Sequence, residues 1–598
     1  MLARKPGPWL GFIRLKNLPL VCLALLVAAL SIHTVANPDL WYHLTLGQKI
    51  LTSGRFQPHE SLIMVPPNFV NFYWLFQIIC TLVMKSFGLG GIAVLFGALW
   101  LAIFFVSAKI IGLAAKPALF VFALTAIIIC QIRFQERPEV FSYLFLTLDL
   151  YILSQWQKPY SLKQILKFMI PVQILWCNIH GYFILGPLLL AVRIFGLSIQ
   201  PKSNKWASLY WGPAALLIAS LVSPFGWKNL FSVFDQWTYT PLGAPWLTEL
   251  QSTASFGLTQ WAFGVFWLFW IATAAATLIR FTKIRDSFFE VAVSAAGLYL
   301  SAAAARYVPL LVFSSLPLWA TFQFQASNFR ILKPLAAATS LFLVFCTIRG
   351  GYFKSLYQPF KFGIGVSVAL FPEKFTMALD KMKLIPGTRW FCDGTTGSFL
   401  EYHYPTVHFY GDSRYMSRDS LDFFEATQNP AAFNKLDQQK NFDFVVLDVT
   451  RSESLLTALM SNADWQLTYS DLTTAFFERS LSKHKLFASE DLHIYQGEDL
   501  SDLPLGNAAI QWTLASAQSN SEGSFLGVLG QLEKSSAVPS PVLDIALSYL
   551  RMRPNSELLK LIFNLRARMV ALSPTALHDV DQKLSDIRSG AFWRDQDP

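Results

Sequence analysis

Asp39 and His43 lie one helical turn apart in VANPDLWYHLTLGQKI, which follows the first long apolar run of the chain. Side chains four residues apart on a helix share a face, so the two can pair, or can present a proton acceptor and an imidazole to one pocket. A plainer reading is local. After Asn-Pro, the Asp39 carboxylate is placed to accept the backbone N–H groups of residues 41 and 42 as a helix N-cap. The helix so begun puts Leu40, Leu44, Gly47 and Leu51 on one stripe and Gln48 and Lys49 elsewhere, the pattern of a helix lying at a membrane interface.

Four further segments carry charge or imidazole in apolar surroundings. RFQERPEVFSY sets Arg133, Glu136, Arg137 and Glu139 about Pro138, where one helix ends and another starts. Mutual salt bridging, with Pro at the first helical position, accounts for this segment as well as a binding role does. His180 in NIHGYF is either a hydrogen-bonded packing residue or a ligand group. Glu249 lies in LTEL, and Arg306 in SAAAARYVPLL stands isolated between two apolar runs. Such an arginine needs an anion, which is a carboxylate of the chain or a phosphate ligand.

The chain that must position these groups has 598 residues, of which 53% are hydrophobic, 15% aromatic and only 14% charged. With repeated uncharged apolar runs, this composition specifies a polytopic α-helical membrane protein rather than a soluble one. The first run is followed by further spans and by no small-residue cleavage site, so it reads as a retained helix and not a signal peptide. About eleven spans are expected, near 18–36, 89–113, 117–135, 139–157, 165–180, 181–197, 206–223, 259–280, 288–305, 307–323 and 331–348. Those at 165–180 and 181–197 meet at CNIHGYF without a loop and could be one broken helix.

The net charge of +10 resides in Lys and Arg of short loops, so it reports topology and not nucleic-acid binding. With Arg4, Lys5, Arg14 and Lys16 in the cytoplasm, the groups Lys109/Lys116, Lys158/Lys163/Lys167, Lys202/Lys205, Arg280/Lys283/Arg285 and Arg330/Lys333 also fall inside. That agreement requires residues 68–88 to lie along the outer surface instead of spanning. Asp39, His43, Glu136, Arg137, Glu139, His180, Glu249 and Arg306 then share the outer face, which suggests one aqueous cavity. Cys22, Cys80, Cys130, Cys177 and Cys346 fall in apolar runs and Cys392 alone in the polar part, so no disulfide framework or zinc spacing exists.

Composition changes near Arg349. A transmembrane domain is expected over 1–348, an exported α/β domain over 349–500 and a helical region of tetratricopeptide type over 501–598. The short runs RWFCD, VHFYG, FDFVVLDV, WQLTYSD and TAFFER read as strands between helical stretches at 417–440 and 452–462. YGDSRY, with Asp412 and Arg414, reads as a turn with a local ion pair and receives no catalytic role.

The order of NPDLWYHLTLGQKILTSGRFQPHES, RFQERPEVFSYLFL, LWCNIHGYFILGPLLL, SLVSPFGWKNL and ARYVPLLVFSSLPL resembles membrane proteins of the GT-C glycosyltransferase superfamily, such as lipid A aminoarabinose transferases and protein O-mannosyltransferases. The resemblance covers roughly the first 350 residues and extends more weakly over 387–421. It implies a GT-C-like bundle with interfacial helices in the first exoplasmic loop. It also implies that Asp39 matches the first-loop acid that approaches the acceptor. Glu136 or Glu139 lies where a second acidic motif binds metal or phosphate, so a divalent cation held by Asp39, Glu136 and Glu139 is the one cofactor implied. Asn37 stands where many members carry another acid, which leaves that metal set incomplete.

By this resemblance the protein would move a sugar from a polyprenyl-phosphate donor to an envelope acceptor, a glycolipid, polysaccharide or protein, at the exoplasmic face of a bacterial inner membrane. Asp39 would be the base, with His43, Glu136, Arg137, Glu139, His180, Glu249 and Arg306 binding substrate. Membrane lipids and envelope proteins are the expected partners. No Walker or dinucleotide fingerprint supports a soluble nucleotide donor. Two rival readings are a lipid-linked sugar transporter, against which stands the lack of an internal repeat, and a non-catalytic scaffold that binds partners through its exported domain.

Overall fold

A computed structural model describes residues 17–486 except the loops 57–69, 157–160, 201–209, 235–247, 257–260 and 323–330 and a few shorter gaps. Beyond residue 486 it describes residues 493–494, the helix Ser556–Ala567 and scattered single positions. Arg4, Lys5, Arg14, Lys16, Lys158, Lys202, Lys205, Arg330, Asp412, Arg414 and most of 501–598 lie outside the described residues. The chain divides into two compact units. The first holds residues 1–60 and 65–367, and the second residues 368–414 and 418–598.

The first unit is helical: α1 (Leu18–Ser31), α2 (Pro38–Ser53), α3 (Trp74–Ile111), α4 (Leu119–Cys130), α5 (Glu139–Gln155), α6 (Leu162–Trp176), α7 (Leu185–Ser198), α8 (Trp211–Ala219), α9 (227–234), α10 (Trp261–Phe281), α11 (Ile284–Ala303), α12 (Val308–Ala320), α13 (Leu332–Ile348) and α14 (Gly351–Ser355). A helix lies inside every apolar segment read from the sequence. Their lengths differ widely. Among the described residues, only Trp74–Ile111, Gly181–Ser198 and Trp261–Phe281 are long and apolar enough to cross a membrane alone. The nine-residue α8 rises about 13 Å, less than half of a hydrocarbon core of about 30 Å.

Three local features correct or sharpen the sequence reading. Gly88 has φ 62° and ψ −159° inside α3, a conformation open to glycine, so residues 74–87 form a separate helix from 89–111. The break falls at the end of the stretch expected to lie along the surface. The junction at CNIHGYF is likewise a broken helix: α6 ends at Trp176, a turn follows, and a 3-10 turn over Gly181–Ile184 leads into α7. The N-cap of α2 is Asn37 and not Asp39. The Asn37 side chain accepts the backbone N–H of Asp39, and Pro38 takes the first helical position, where its missing N–H costs nothing.

α2 is also more enclosed than a surface helix. Leu40 through Gly47 are all buried, while Leu51, expected on the apolar stripe, is 40% exposed. The cause is the 74–87 helix, which packs against α2 so closely that a Cβ on Gly47 would overlap Thr81 Oγ1 and the Gln77 carbonyl oxygen.

The bundle has two chemically different ends. At one end, Lys116 Nζ donates to the Ala320 carbonyl and Arg280 Nη2 to that of Thr321, each 2.7 Å long. These are helix C-terminal carbonyls, where cations are favoured. At the opposite ends of α4 and α12 lie Arg133 and Arg306.

The second unit contains α15 (Glu373–Leu379), α16 (Gly394–His403), α17 (Arg418–Gln428), α18 (Pro430–Lys440), α19 (Glu453–Met460) and α20 (Ser556–Ala567). Its six strands are β1 (Arg389–Cys392), β2 (His408–Tyr410), β3 (Phe444–Asp448), β4 (Trp465–Ser470), β5 (Thr474–Arg479) and β6 (His493–Ile494), in the order β2-β1-β3-β5-β4-β6. β2, β1 and β3 are parallel, with Phe391 opposite Tyr410 and Val445, and β5 runs antiparallel to β3 and β4. Alternation along the strands divides the core in two. Phe391, Val445, Leu447 and Phe477 pack with Phe423, Phe433 and Leu455, while Trp390, Cys392, Phe444 and Phe476 pack with Phe375 and Leu400. The helical stretch 417–440 is two helices, divided where the Asn429 side chain accepts the Ala431 N–H and Pro430 takes the first position of α18. α16 is an element that the strand pattern did not reveal; Asp393 caps it through the backbone N–H groups of Thr395 and Thr396.

The fit of α2 against the first half of α3 leaves no space for one methyl group. Gly47→Ala should therefore destabilise the first unit by about 1–3 kcal/mol, seen as a lower thermal unfolding midpoint in detergent. Gly264→Ala, inside α10 with open space around the added methyl group, is the control for glycine loss alone.

Candidate functional site

Arg133 begins the site. It ends the 3-10 turn Gln131–Arg133 at the tip of α4, and its Nε donates to Glu139 Oε1 over 2.6 Å. Both side chains are nearly inaccessible, at 6% and 2%. Pro138 turns the chain between them so that Glu139 starts α5. The salt bridging expected within RFQERPE is therefore real, and removing either partner would strand a buried charge at a cost of about 3–5 kcal/mol.

Glu249 joins the other arginines. Its Oε2 accepts from Arg133 Nη1 and from Arg137 Nη1, each at 2.7 Å, and its Oε1 lies 4.0 Å from Arg306 Nη1. Burial alone would push this carboxyl up. Arg137, Arg133 and Arg306 outweigh it and hold the group well below the usual carboxylate range. Its stabilising contribution is therefore present above the ordinary carboxylate range and is lost only on strong acidification. The Glu249 turn is pinned to the end of α11: Thr253 Oγ1 donates to the Ser301 carbonyl, Ser252 Oγ to that of Ala302, and the Ala305 N–H to that of Gln251. Those bonds hold Glu249 and Arg306, distant in sequence, at one place.

Arg137 Nη2 also reaches Asp39 Oδ2 at 3.3 Å. Asp39, Arg137, Glu249 and Arg306 have side-chain exposures of 22, 16, 20 and 15%. They form the accessible layer over the buried Arg133–Glu139 pair. α2 is carried to this place by Asn37, whose Nδ2 donates to the Glu136 carbonyl over 2.9 Å. The site thus draws Asp39, Arg133, Arg137, Glu139, Glu249 and Arg306 from the start of α2, the α4–α5 turn, the 248–250 turn and the turn before α12.

The remaining candidates flank this cluster. His180 Nδ1 accepts from Ser142 Oγ at 2.9 Å and from the Tyr182 N–H at 3.4 Å. Ser142 in turn accepts from Trp176 Nε1 at 2.7 Å. The Tyr182 N–H can only donate, so Nδ1 is the acceptor nitrogen, the Ser142 hydroxyl gives its proton to it, and His180 carries its proton on Nε2. The rings of Tyr182 and Tyr307 connect its turn to that of Arg306. His43 is buried among Tyr42, Tyr73 and Phe76, with Nδ1 3.3 Å from Gln77 Nε2. Glu136 is buried, and its Oε2 meets no hydrogen-bond donor.

Sequence reasoning included eight of the side chains now seen in or beside the cluster but treated Arg133 only as a bridge partner. Its signal was present as the first charge of RFQERPE. Ser142, Gln77 and the bond from Asn37 to the Glu136 carbonyl carried none, since each is an ordinary polar residue until its partner is known.

Among the described residues no three His, Cys, Asp or Glu side chains converge as a metal set. Asp39, Glu139 and Glu249 face guanidinium groups, and an orphaned oxygen occurs only on Glu136 among the three carboxylates proposed for a cation. This donor set does not fit a divalent ion.

No protein-family model and no curated protein sequence matches the chain. Among solved structures it is similar to ArnT of Cupriavidus metallidurans bound to undecaprenyl phosphate, at 12% identity and TM-score 0.49 over 79% of this chain and 98% of that one. It is similar to the Archaeoglobus fulgidus oligosaccharyltransferase tethered with an acceptor peptide, at 12% identity and TM-score 0.46 over 78% and 74% of the two chains. A third is AglB of the same organism with an inhibitory peptide and a dolichol phosphate, at 13% identity and TM-score 0.44 over 79% and 75%. At these values function has to be argued from the side chains themselves.

Glu136 differs from Glu249 in sign. Burial pushes its carboxyl up, only partly offset by His33 and Arg137, so the fold favours the protonated form. The Glu136 contribution to stability should be greatest below the ordinary carboxylate range and fall as pH rises from about 4 toward the raised value. Glu136→Gln should remove that fall, which a pH series of unfolding midpoints on both proteins checks.

Proposed function

We propose that the protein transfers a sugar from a polyprenyl-phosphate donor to an acceptor hydroxyl at the exoplasmic face of a bacterial inner membrane. The observation that carries this reading is the cluster itself: three arginines and three carboxylates drawn to one end of an apolar helix bundle, with Asp39, Arg137, Glu249 and Arg306 in its accessible layer. Charges in such surroundings are costly and mark sites for charged ligands. Guanidinium groups match the flat, many-oxygen face of a phosphate.

In this mechanism the acceptor oxygen attacks C1 of the sugar from the face opposite the phosphate. The new C1–O bond forms as the C1–O bond to phosphate breaks, with inversion. The acceptor's proton passes to Asp39, and the bonding pair leaves on the phosphate oxygen. That leaving group is a weak base and needs no acid, only cationic stabilisation from Arg137 and Arg306. One accessible carboxylate then suffices, unlike the paired carboxylates of soluble glycosidases. His180 offers Nε2–H as a neutral donor beside Tyr182. Arg133 and Glu139 hold Glu249 and the α4–α5 turn, while His43 and Glu136 fix α2 and that turn from behind. This assignment involves no metal ion.

Asp39→Asn tests the base. Asn37 caps α2, so the variant should fold and bind donor, yet sugar transfer from a radiolabelled polyprenyl-phosphate sugar in proteoliposomes should fall by at least a hundredfold. Transfer within about threefold of wild type would remove Asp39 from the chemistry. No turnover by the wild type with any acceptor fraction would favour the scaffold or transporter reading.

The orientation is tested separately. Lys116 and Arg280 at the end opposite the cluster support a cytoplasmic placement of that end, which sends the α/β unit to the exoplasmic side. Leu481 is 92% exposed. In a Leu481→Cys protein, an impermeant maleimide should label right-side-out vesicles without permeabilisation, whereas labelling only after permeabilisation would invert the topology.

A further inference from the structure

We infer that Glu249 is an internal stand-in for the ligand's phosphate, a displaceable anion that holds the arginines together when the site is empty and competes with phosphate for them. The inference rests on the reading of the cluster as a phosphate-donor site, and it assigns Glu249 a role in exchange rather than in direct substrate binding.

The argument begins with donors and acceptors. Arg133, Arg137 and Arg306 would repel one another without an anion between them, and Glu249 supplies it. Yet a carboxylate has only two oxygens. Oε2 already takes two N–H groups, from Arg133 and Arg137, and Oε1 is 4.0 Å from Arg306, beyond a hydrogen bond. Arg133 Nη2 and Arg137 Nε remain buried with no acceptor. Buried donors are normally satisfied, and these two guanidinium N–H groups are ones the cluster's carboxylates do not reach. A phosphate ester carries more acceptor oxygens, arranged around a tetrahedral centre. Placed where the Glu249 carboxylate sits, it offers a further oxygen to Arg133 Nη2, which shares the end of that guanidinium with the Nη1 bonded to Glu249.

Charge leads to the same conclusion. Among the described residues the cluster balances three arginines with Asp39, Glu139 and Glu249. Glu139 is fixed by burial and by its 2.6 Å bond to Arg133. Asp39 stands at the far side of Arg137. Glu249 is the anion in the middle, partly accessible, in a turn that among the described residues is pinned through Gln251, Ser252 and Thr253. An entering sugar phosphodiester with one negative charge replaces it without changing the balance. After transfer the product phosphomonoester carries up to two charges and would be held more tightly. Glu249, tethered and always present, returns to the arginines and releases it.

The test uses the full-length protein in detergent, with farnesyl phosphate as a soluble short-chain probe and farnesol and inorganic phosphate as controls. Affinity is read from ligand-dependent shifts of the unfolding midpoint. Glu249→Gln should unfold at a lower temperature than wild type without ligand, recover with farnesyl phosphate, and bind it at least tenfold more tightly; farnesol should do neither. An equal response to inorganic phosphate would keep the exchange and assign the site to a free anion. Glu249→Asp, which keeps the charge but shortens its reach, should fall between the two proteins, and it serves alone if the Gln variant does not fold. Binding by both variants that is equal to or weaker than wild type, while Arg306→Ala abolishes wild-type binding, would overturn the inference and leave the phosphate reading intact. If wild type and all variants fail to bind farnesyl phosphate, the phosphate reading itself falls.

Discussion

Three guanidinium groups held together by carboxylates at one end of an apolar bundle set the terms for the rest of the membrane unit. In a medium of low dielectric neither sign can be left uncompensated, and attraction between them is correspondingly strong. Arg133, Arg137 and Arg306 therefore tie three separate parts of the chain, the α4–α5 turn, the Glu249 turn and the turn before α12, into one object. α2 is attached to it twice, through Asn37 to the Glu136 carbonyl and through Asp39 to Arg137.

The cluster is graded in depth. Arg133 and Glu139 are sealed and bonded at 2.6 Å, which suits a permanent brace. Asp39 and Glu249 keep a fifth of their side-chain surface open, so water or a ligand can reach them. A brace below and exchangeable groups above is what a site needs if it is to change partners without losing its shape. His180 follows the same logic, since Ser142 and Tyr182 fix its Nδ1 side and leave the proton on Nε2.

Much of this was legible because the physics is local. The apolar runs give the helices, and RFQERPE announces its own salt bridge. The strand runs from RWFC to TAFFER alternate between two cores as period-two patterns must. The failures are equally physical. At NPD the residue before proline is the natural cap, because proline then occupies the first helical position; assigning the cap to Asp39 ignored that rule. The stripe through Leu51 failed because α2 packs against the 74–87 helix, and a partner helix overrides a one-sided pattern. The pairing of Glu249 with Arg306 could not be read at all. It depends on hydroxyl bonds from Ser252 and Thr253 to the end of α11, and those contacts exist only in the folded chain.

The isolation of Arg306 in the sequence posed a choice between a protein carboxylate and a phosphate. Under the phosphate reading proposed above, both answers belong to one site. Glu249 lies near enough to neutralise Arg306 but at 4.0 Å too far to bond it, while bonding Arg133 and Arg137 at 2.7 Å. A carboxylate optimised for stability alone would close on all three, as Glu139 has closed on Arg133. An anion that satisfies two arginines and only balances the third leaves room for a larger, more highly charged one. That asymmetry, more than the presence of charge, is what the proposed phosphate site rests on.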